Sequence, residues 1–384
     1  MRHDLGQCDQ QRTPCRRQAM SRRRFLRAMG AAAAGLVAAG CQSKSPTATP
    51  ESAPGGTVSA PTSPRVAIAP AASYDRKLVR QQVRELLDAL GGLGDVIHPG
   101  DRVAIKVNLT GGTNAKPLPG VSPVDSYVTH PEVVRALGEL VLDAGARELF
   151  IVEGVYEWES YELWGYKEVA GALGATLIDL NDAHPYDDFA STPVGEGWFI
   201  YEEFVFHHIL EEVDAFISVP KVKCHWSCGV THSMKNLIGL VPARFYGLSP
   251  EHNWRSAFHG AEDEFGTRLP RVIVDLNRAR PIHLALLDGI KTTEGGEGPW
   301  IKTLAPVEHG VLIAGKDPVA TDAVATATMG FDPTASPPGV PFLRSDNHLS
   351  LAYELGLGTH RLEKIEVVGA SIDDVCHPFE PCWE

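Results

Sequence analysis

After Pro64 the chain alternates between short β-branched runs and longer amphipathic ones. Arg65 to Ala69 reads as a strand. Leu78, Val79, Val83, Leu86 and Leu87 then recur at helical spacing, which predicts a helix over Asp75 to Leu90. Pro99-Gly100 makes a turn, and Arg102 to Leu109 reads as a second strand. Thr129-His130-Pro131 opens a helix with proline in its first turn, and Gly145 stops it. Glu148 to Val152 as strand, Tyr166 to Leu173 as helix and Thr176 to Leu180 as strand continue the alternation. Trp198 to Phe206 predicts an inserted hairpin or irregular β piece, and Ala215 to Val219 a short buried strand. In the second half Pro270 to Arg280 reads as a helix, and Ile282 to Leu287 and His309 to Ala314 as strands. Asp317-Pro318 caps a helix that ends at Gly330. Phe342 to Leu355 is expected as helix and Lys364 to Val368 as the last strand. This alternation argues for an α/β fold, a mostly parallel sheet with helices on both faces and right-handed crossovers. The irregular composition between about 182 and 214 leaves two arrangements open, a boundary between two lobes or one continuous sheet.

Before Pro64 the pattern is that of targeting rather than folding. Ser21-Arg22-Arg23-Arg24-Phe25-Leu26-Arg27 matches the twin-arginine pattern. The Ala-rich run from Ala28 to Gly40 is shorter than the ~20 apolar residues a spanning helix needs. Val37-Ala38-Ala39-Gly40-Cys41 sets small residues directly before a cysteine, as in a lipoprotein cleavage box, with Ala38 where such boxes usually have Leu. Residues 1–41 are expected to be a signal that makes Cys41 a lipid anchor; the alternative is ordinary signal-peptidase cleavage near the same place. Met20 is an alternative start. Residues 42–64, rich in Ser, Pro, Thr, Ala and Gly, bury no core and read as a flexible tether. The expected address is extracytoplasmic, reached by the twin-arginine route, with the membrane as partner through the lipid. The folded part is expected over 65–370, followed by a tail over 371–384.

Net charge is −13 over 384 residues, and the first 40 hold eight Arg against two Asp, so the remainder is more acidic still. With no basic stripe, nucleic acid is excluded as a partner. Cys224, Cys228, Cys376 and Cys382 fall in the folded part, where disulfides are allowed outside the cytoplasm. Four cysteines admit three pairings. Cys376–Cys382, which closes a short loop near the C-terminus, is the favoured bridge. No C-x-x-C-x-x-C run is present, so no ferredoxin-type iron–sulfur cluster is expected.

In open α/β sheets ligands bind beyond the carboxyl ends of the strands. Ala215 to Val219 runs into Pro220-Lys221-Val222-Lys223-Cys224-His225-Trp226-Ser227-Cys228, and then Gly229-Val230-Thr231-His232-Ser233-Met234-Lys235-Asn236. A helix is expected to begin near Thr231 or Ser233 and end near Leu240. Three lysines around a strand end and a helix N-terminus favour a small anion. Cys224, His225, Cys228 and His232 also have metal-ligand chemistry; a Cys224–Cys228 disulfide or free buried thiols are the alternatives.

Pro220-Lys221-Val222-Lys223-Cys224-His225, Gly229-Val230-Thr231 and Lys235-Asn236-Leu237-Ile238-Gly239 resemble the signature of the domain of unknown function 362 (DUF362) family. Lys106-Val107-Asn108, Thr129-His130-Pro131, Glu153-Gly154, Asp288-Gly289-Ile290, Glu294, Gly298-Pro299 and Asp317-Pro318 follow in the family's order. The resemblance covers about residues 65–370. Cys224 stands where the family commonly has Thr, and some relatives carry ferredoxin-type clusters that this chain's cysteines do not match. The resemblance implies a pocket rather than a reaction. Lys106, Asn108, Glu153, Lys221 to His225 and Asp288 end predicted strands on one rim, and Glu294 follows in a Gly-rich loop. Asp317 is accounted for by helix capping; Asp322, one turn on, faces either the rim or solvent.

In the enzyme reading, Lys221, Lys223 and Lys235, with Lys106, Asn108 and Asn236 beside them, hold a carboxylate or phosphate. His225 acts as general base or metal ligand, and Glu153, Asp288 or Glu294 as acid, base or ligand. Gly229 to Pro242 also resembles, faintly, the lysine-bearing loop of the nickel-pincer lactate racemases, with Lys235 the one residue carried over. Two alternatives use the same residues differently: a tethered receptor for a small anion or metal ion, and an envelope interaction protein with an aromatic patch over Trp158 to Trp164. The reaction, any cofactor and any protein partner are not legible.

Overall fold

The structure is a computed structural model that describes residues 63–115, 118–249 and 254–383. The signal, Cys41 and residues 42–62 of the tether lie outside the described residues. Among the described residues no helix is long and apolar enough to cross a membrane.

Strand β1 (Arg65–Pro70) leads to helix α1 (Arg76–Ala89), whose first turn is capped by the Asp75 carboxylate accepting from the Lys77 and Leu78 N–H groups. Strand β2 (Arg102–Lys106) precedes α2 (Pro131–Asp143), capped by the His130 ring with Pro131 in the first turn. Then come β3 (Glu148–Glu153), α3 (Tyr166–Leu173) and β4 (Thr176–Asp179). The hairpin of β5 (Ala190–Pro193) and β6 (Glu203–Phe206) is a small separate sheet. Strand β7 (Ala215–Ser218) is followed at once by a second hairpin, β8 (Lys221–His225) and β9 (Gly229–Thr231). The second half supplies α4 (Arg268–Ala279), the long β10 (Leu284–Glu294), β11 (Ala305–Val307) and β12 (Val311–Gly315). It ends with α5 (Pro318–Thr328), α6 (His348–Glu354) and β13 (Glu366–Gly369).

The main sheet has the order β13-β1-β12-β10-β7-β2-β3-β4. Along that path only β12 runs against its neighbours. The fold is therefore α/β with a mostly parallel sheet. Strand residues alternate between two apolar layers: Val66 and Ile68 of β1 join one, Ala67 and Ala69 the other. Helices α1 to α3 cover one face and α4 to α6 the opposite one, so the strands are buried on both sides. Strands β4 and β7, on either side of residues 182–214, belong to the same sheet, and the segment between them leaves it for the β5–β6 hairpin.

Three local expectations need correction. Strand β2 stops at Lys106, because the backbone of Asn108 leaves the ladder and exchanges hydrogen bonds with Thr129. The Phe342–Leu355 helix starts only at His348, where the Asn347 side chain caps it. The largest difference is around His225. Lys221 to His225 is a strand paired with β10, and no α-helix follows: Lys235–Leu240 forms a 3-10 segment. The Asp322 carboxylate accepts from the N–H groups of Ser233 and Met234 (both 2.9 Å) and from the Ser233 hydroxyl, and so fixes where this segment begins. Asp322 therefore faces neither the rim nor solvent.

Candidate ligand-binding site

The parallel strands β2, β3 and β7 end side by side, and the 3-10 segment Lys235–Leu240 lies across their carboxyl ends. Asn236 Nδ2 donates to Lys106 O and to Ser218 Oγ, 3.1 Å each, and Gly154 N–H donates to Gly239 O. The two glycines make this docking possible. A Cβ on Gly239 would overlap the Glu153 carboxylate, and one on Gly154 would overlap the Arg255 guanidinium. Between these elements and the 225–227 turn is a cavity of about 260 Å³.

Its floor is a buried ion pair. Lys106 Nζ sits 2.7 Å from Glu153 Oε1 and also donates to Val107 O. Glu153 Oε1 takes the Gly154 N–H as well, and Oε2 takes the Leu109 N–H, 2.9 Å each. Both carboxylate oxygens are thus committed inside the protein. Burial lowers the Lys106 ammonium from its ordinary pKa, and Glu153 pulls it back up. Arg255, with left-handed backbone, closes one side: Nε donates to Val241 O at 2.8 Å and an Nη to Asn181 Oδ1 at 3.2 Å.

The groups left over face the cavity. Lys235 is half-buried in its wall, and among the described residues no hydrogen bond or ion pair engages its ammonium. His225 Nδ1 accepts from the Ser227 N–H, with the Ser227 hydroxyl also at 3.2 Å. That leaves Nε2 to carry the ring proton. Burial first, then Lys235, pushes His225 well below the ordinary histidine pKa, so the ring is neutral. Asn108 Oδ1 is buried with no hydrogen-bond partner among the described residues. The lining charges are Lys106, Lys235 and Arg255 against Glu153 and Glu297, a net positive hollow in an acidic chain.

Six residues expected at the site, Lys106, Asn108, Glu153, His225, Lys235 and Asn236, do line one cavity. Four others do not. Asp288 and Lys221 face each other in register on β10 and β8, fully buried, with Nζ 2.7 Å from Oδ2. Tyr74 OH, Lys291 O and Val124 O take up the rest of the Lys221 ammonium, and the Asp288 carboxylate also accepts from Tyr74 OH and the His130 N–H. This is a sealed structural pair. Lys223 is buried beneath the site and spends its ammonium on Tyr127 O at 2.6 Å. Glu294 points to the C-terminal tail, where it accepts the Glu380 N–H.

The cysteine expectations also change. Cys376 and Cys382 are not bridged: the tail after Cys376 pairs with the end of α5 through the N–H groups of His377 and Phe379, which holds the chain extended. Cys224 donates to Glu380 O and Cys228 lies against Val230 O, each a free buried thiol. His232 is fully buried near His348 and does not line the cavity that His225 lines. The four side chains thus point to separate neighbours, and among the described residues no group of three or more His, Cys, Asp or Glu is placed to hold a metal ion. That removes the support for His225 as a metal ligand.

The cavity also has members the sequence did not single out: Ser227, Arg255, Glu297, His259 and the aromatic residues Tyr156, Trp226, Trp254 and Trp300. Glu297 lies three residues beyond Glu294 in the same Gly-rich loop, which was the one available signal. Arg255 follows no periodic pattern, and nothing in the sequence marks it.

The family described as Domain of unknown function (DUF362) matches residues 103–327, more than half of the chain. A thylakoid-associated protein of Synechocystis sp. is 29% identical over 277 residues, 69% of this chain and 74% of that one. Among solved structures, a protein from Thermotoga maritima aligns with TM-score 0.34 and 16% identity, over 65% of this chain and 57% of that one. The lactate racemase apoprotein from Thermoanaerobacterium thermosaccharolyticum aligns with TM-score 0.34 and 11% identity, over 64% and 54%. This chain spans little more than half the length of those two, and at such values neither likeness bears on function.

Proposed function

Because the chain belongs to the DUF362 family, whose description assigns no reaction, we propose from the site itself that this protein binds a small carboxylate- or phosphate-bearing compound. The observation that carries this is the pairing of an unengaged ammonium, Lys235, with a neutral ring N–H, His225 Nε2, on one cavity wall. Unpaired buried donors are costly unless a ligand meets them, and a cation with an adjacent N–H matches an oxyanion. Asn108 Oδ1 offers an acceptor to a hydroxyl or amine on the same molecule. The cavity is smaller than the ~300–1,000 Å³ of sites for drug-sized ligands, which suits a metabolite rather than a nucleotide.

One observation favours a catalytic version. Ser227 Oγ lies 3.2 Å from His225 Nδ1, a nucleophile–base contact inside the cavity. Against it, the burial that holds His225 neutral also makes it a weak base, and both carboxylates are spoken for by N–H donors. Binding without turnover is therefore the reading we adopt. The address is part of the proposal: the twin-arginine pattern and Cys41 support an exported, lipid-anchored receptor.

The test is calorimetric titration of the full chain with a panel of small carboxylates and phosphates, followed by a product assay on each binder. At least one anion is expected to bind, and Lys235→Met to weaken it ~10-fold or more, the loss of a charge-assisted contact of about 1.5–3 kcal/mol. Unchanged binding in that variant sinks the reading; turnover that Ser227→Ala abolishes replaces it with the enzyme. Replacing Arg22, Arg23 and Arg24 by Lys is expected to leave the protein in the cytoplasm, scored by fractionation.

A further inference from the structure

The same cavity carries an aromatic half. Tyr156, Trp226, Trp254 and Trp300 all line it. Tyr156, Trp254 and Trp300 are 37%, 46% and 47% exposed, so folding leaves much of their apolar surface in water. Singly exposed aromatics are ordinary, but three converging on one hollow are not.

These rings are also held in place. Trp300 lies so closely over Gly111 and Gly298 that a Cβ on either would overlap its ring. Its Nε1 donates to Glu297 Oε1 at 3.0 Å, and the other Glu297 oxygen takes the Trp226 N–H at 2.9 Å. One carboxylate thereby ties the Trp300 indole to the backbone at Trp226, whose own ring packs against Phe265 and the Arg344 guanidinium. Across the mouth, Trp254 stacks on Tyr156 with ring centroids 4.4 Å apart and planes 17° apart. Trp254 has φ 52°, a conformation costly to a bulky residue and held only where surroundings demand it. Rings held in this way are fixed at the cavity before any ligand arrives.

We propose that the ligand is a planar, single-ring organic anion of the aryl carboxylate class. Its carboxylate meets Lys235 and His225, and its ring lies between Trp254 and Trp300. This rests on the anion-binding reading above and narrows it. A cavity of about 260 Å³ has room for one ring and a short substituent, not for a fused polycyclic body.

Titration of the full chain with benzoate, cyclohexanecarboxylate, acetate and inorganic phosphate tests it. Benzoate is expected to bind about tenfold tighter than acetate, a difference of about 1.4 kcal/mol. Cyclohexanecarboxylate, equal in carbon number but without a π-face, is expected to fall between the two. Trp300→Ala or Trp254→Ala is expected to cut the benzoate advantage to about threefold or less, while Trp300→Phe keeps most of it. Tryptophan fluorescence should be quenched by benzoate and not by acetate. If benzoate and acetate bind alike while Lys235→Met abolishes both, the aromatic claim fails and the anion reading stands. If cyclohexanecarboxylate equals benzoate, the pocket selects bulk rather than planarity and the claim fails again. If no carboxylate or phosphate binds, or if Lys235→Met leaves benzoate untouched, both readings fall together.

Discussion

Glu153 shares its carboxylate oxygens among Lys106, the Gly154 N–H and the Leu109 N–H, all within the protein. It holds the floor together rather than meeting a ligand. Removing one member of such a pair strands the other charge, so Glu153→Gln is expected to cost roughly 3–5 kcal/mol in urea unfolding. The same argument applies to Lys221 and Asp288. A second residue-scale prediction concerns the thiols. Cys376 is exposed, whereas Cys224, Cys228 and Cys382 are buried, and burial pushes the Cys228 thiol up to about 12. Alkylation of native protein, mapped by mass spectrometry, should label Cys376 well before those three. Failure of Cys376 to label ahead of the other three would contradict this. Motif positions such as Lys235 and His225 were legible because they sit in one continuous stretch. Asp288 and Lys221 were misplaced because strand register decides whether a charge meets the rim or another charge, and register is not written in a single strand.

At the scale of elements, the 3-10 segment Lys235–Leu240 is held at its start by Asp322, in its middle by Asn236 and near its end by Gly239. Asp322 is fully buried, and burial raises its carboxyl to about 7 against its hydrogen bonds from Ser233 and Met234. The folded-state pKa thus lies above the unfolded value of about 3.8. The protonated form is favoured by folding: its contribution is fully present below pH ~4 and lost as pH rises through ~7. Asp322→Asn has no such titration. The stability of wild type relative to Asp322→Asn is therefore expected to rise as pH falls from 7 to 4, by up to about 1.4 kcal/mol per pH unit. Urea midpoints at pH 7.5, 6 and 4.5 check this, and a flat difference would sink it. The sequence suggested a helix beginning near Thr231 or Ser233 and ending near Leu240. It could not show that Asp322, far along the chain, captures the N–H groups that begin the segment.

For the whole molecule, alternation of strand and helix patterns was enough to indicate a mostly parallel α/β sheet. It did not reveal that β12 runs against β1 and β10, since reversal within a sheet leaves no mark on periodicity. Both neighbours of β1 come from the last quarter of the chain. A fragment spanning 65–304 lacks β12 and β13 and leaves β1 without partners. It is expected to unfold without a cooperative transition and to bind hydrophobic dyes, which circular dichroism and dye fluorescence would show; a sharp native-like transition would contradict the argument.

The pairing of β1 with β13 has a consequence in time. Arg65 and Glu366, joined across these strands, are 301 residues apart. At translation rates of ~5–20 residues per second, roughly 15–60 s separate their synthesis. A growing chain therefore carries its first strand with open edges until ribosomes have nearly finished. Among the described strands, β1 is made first and is among the last to gain both its neighbours.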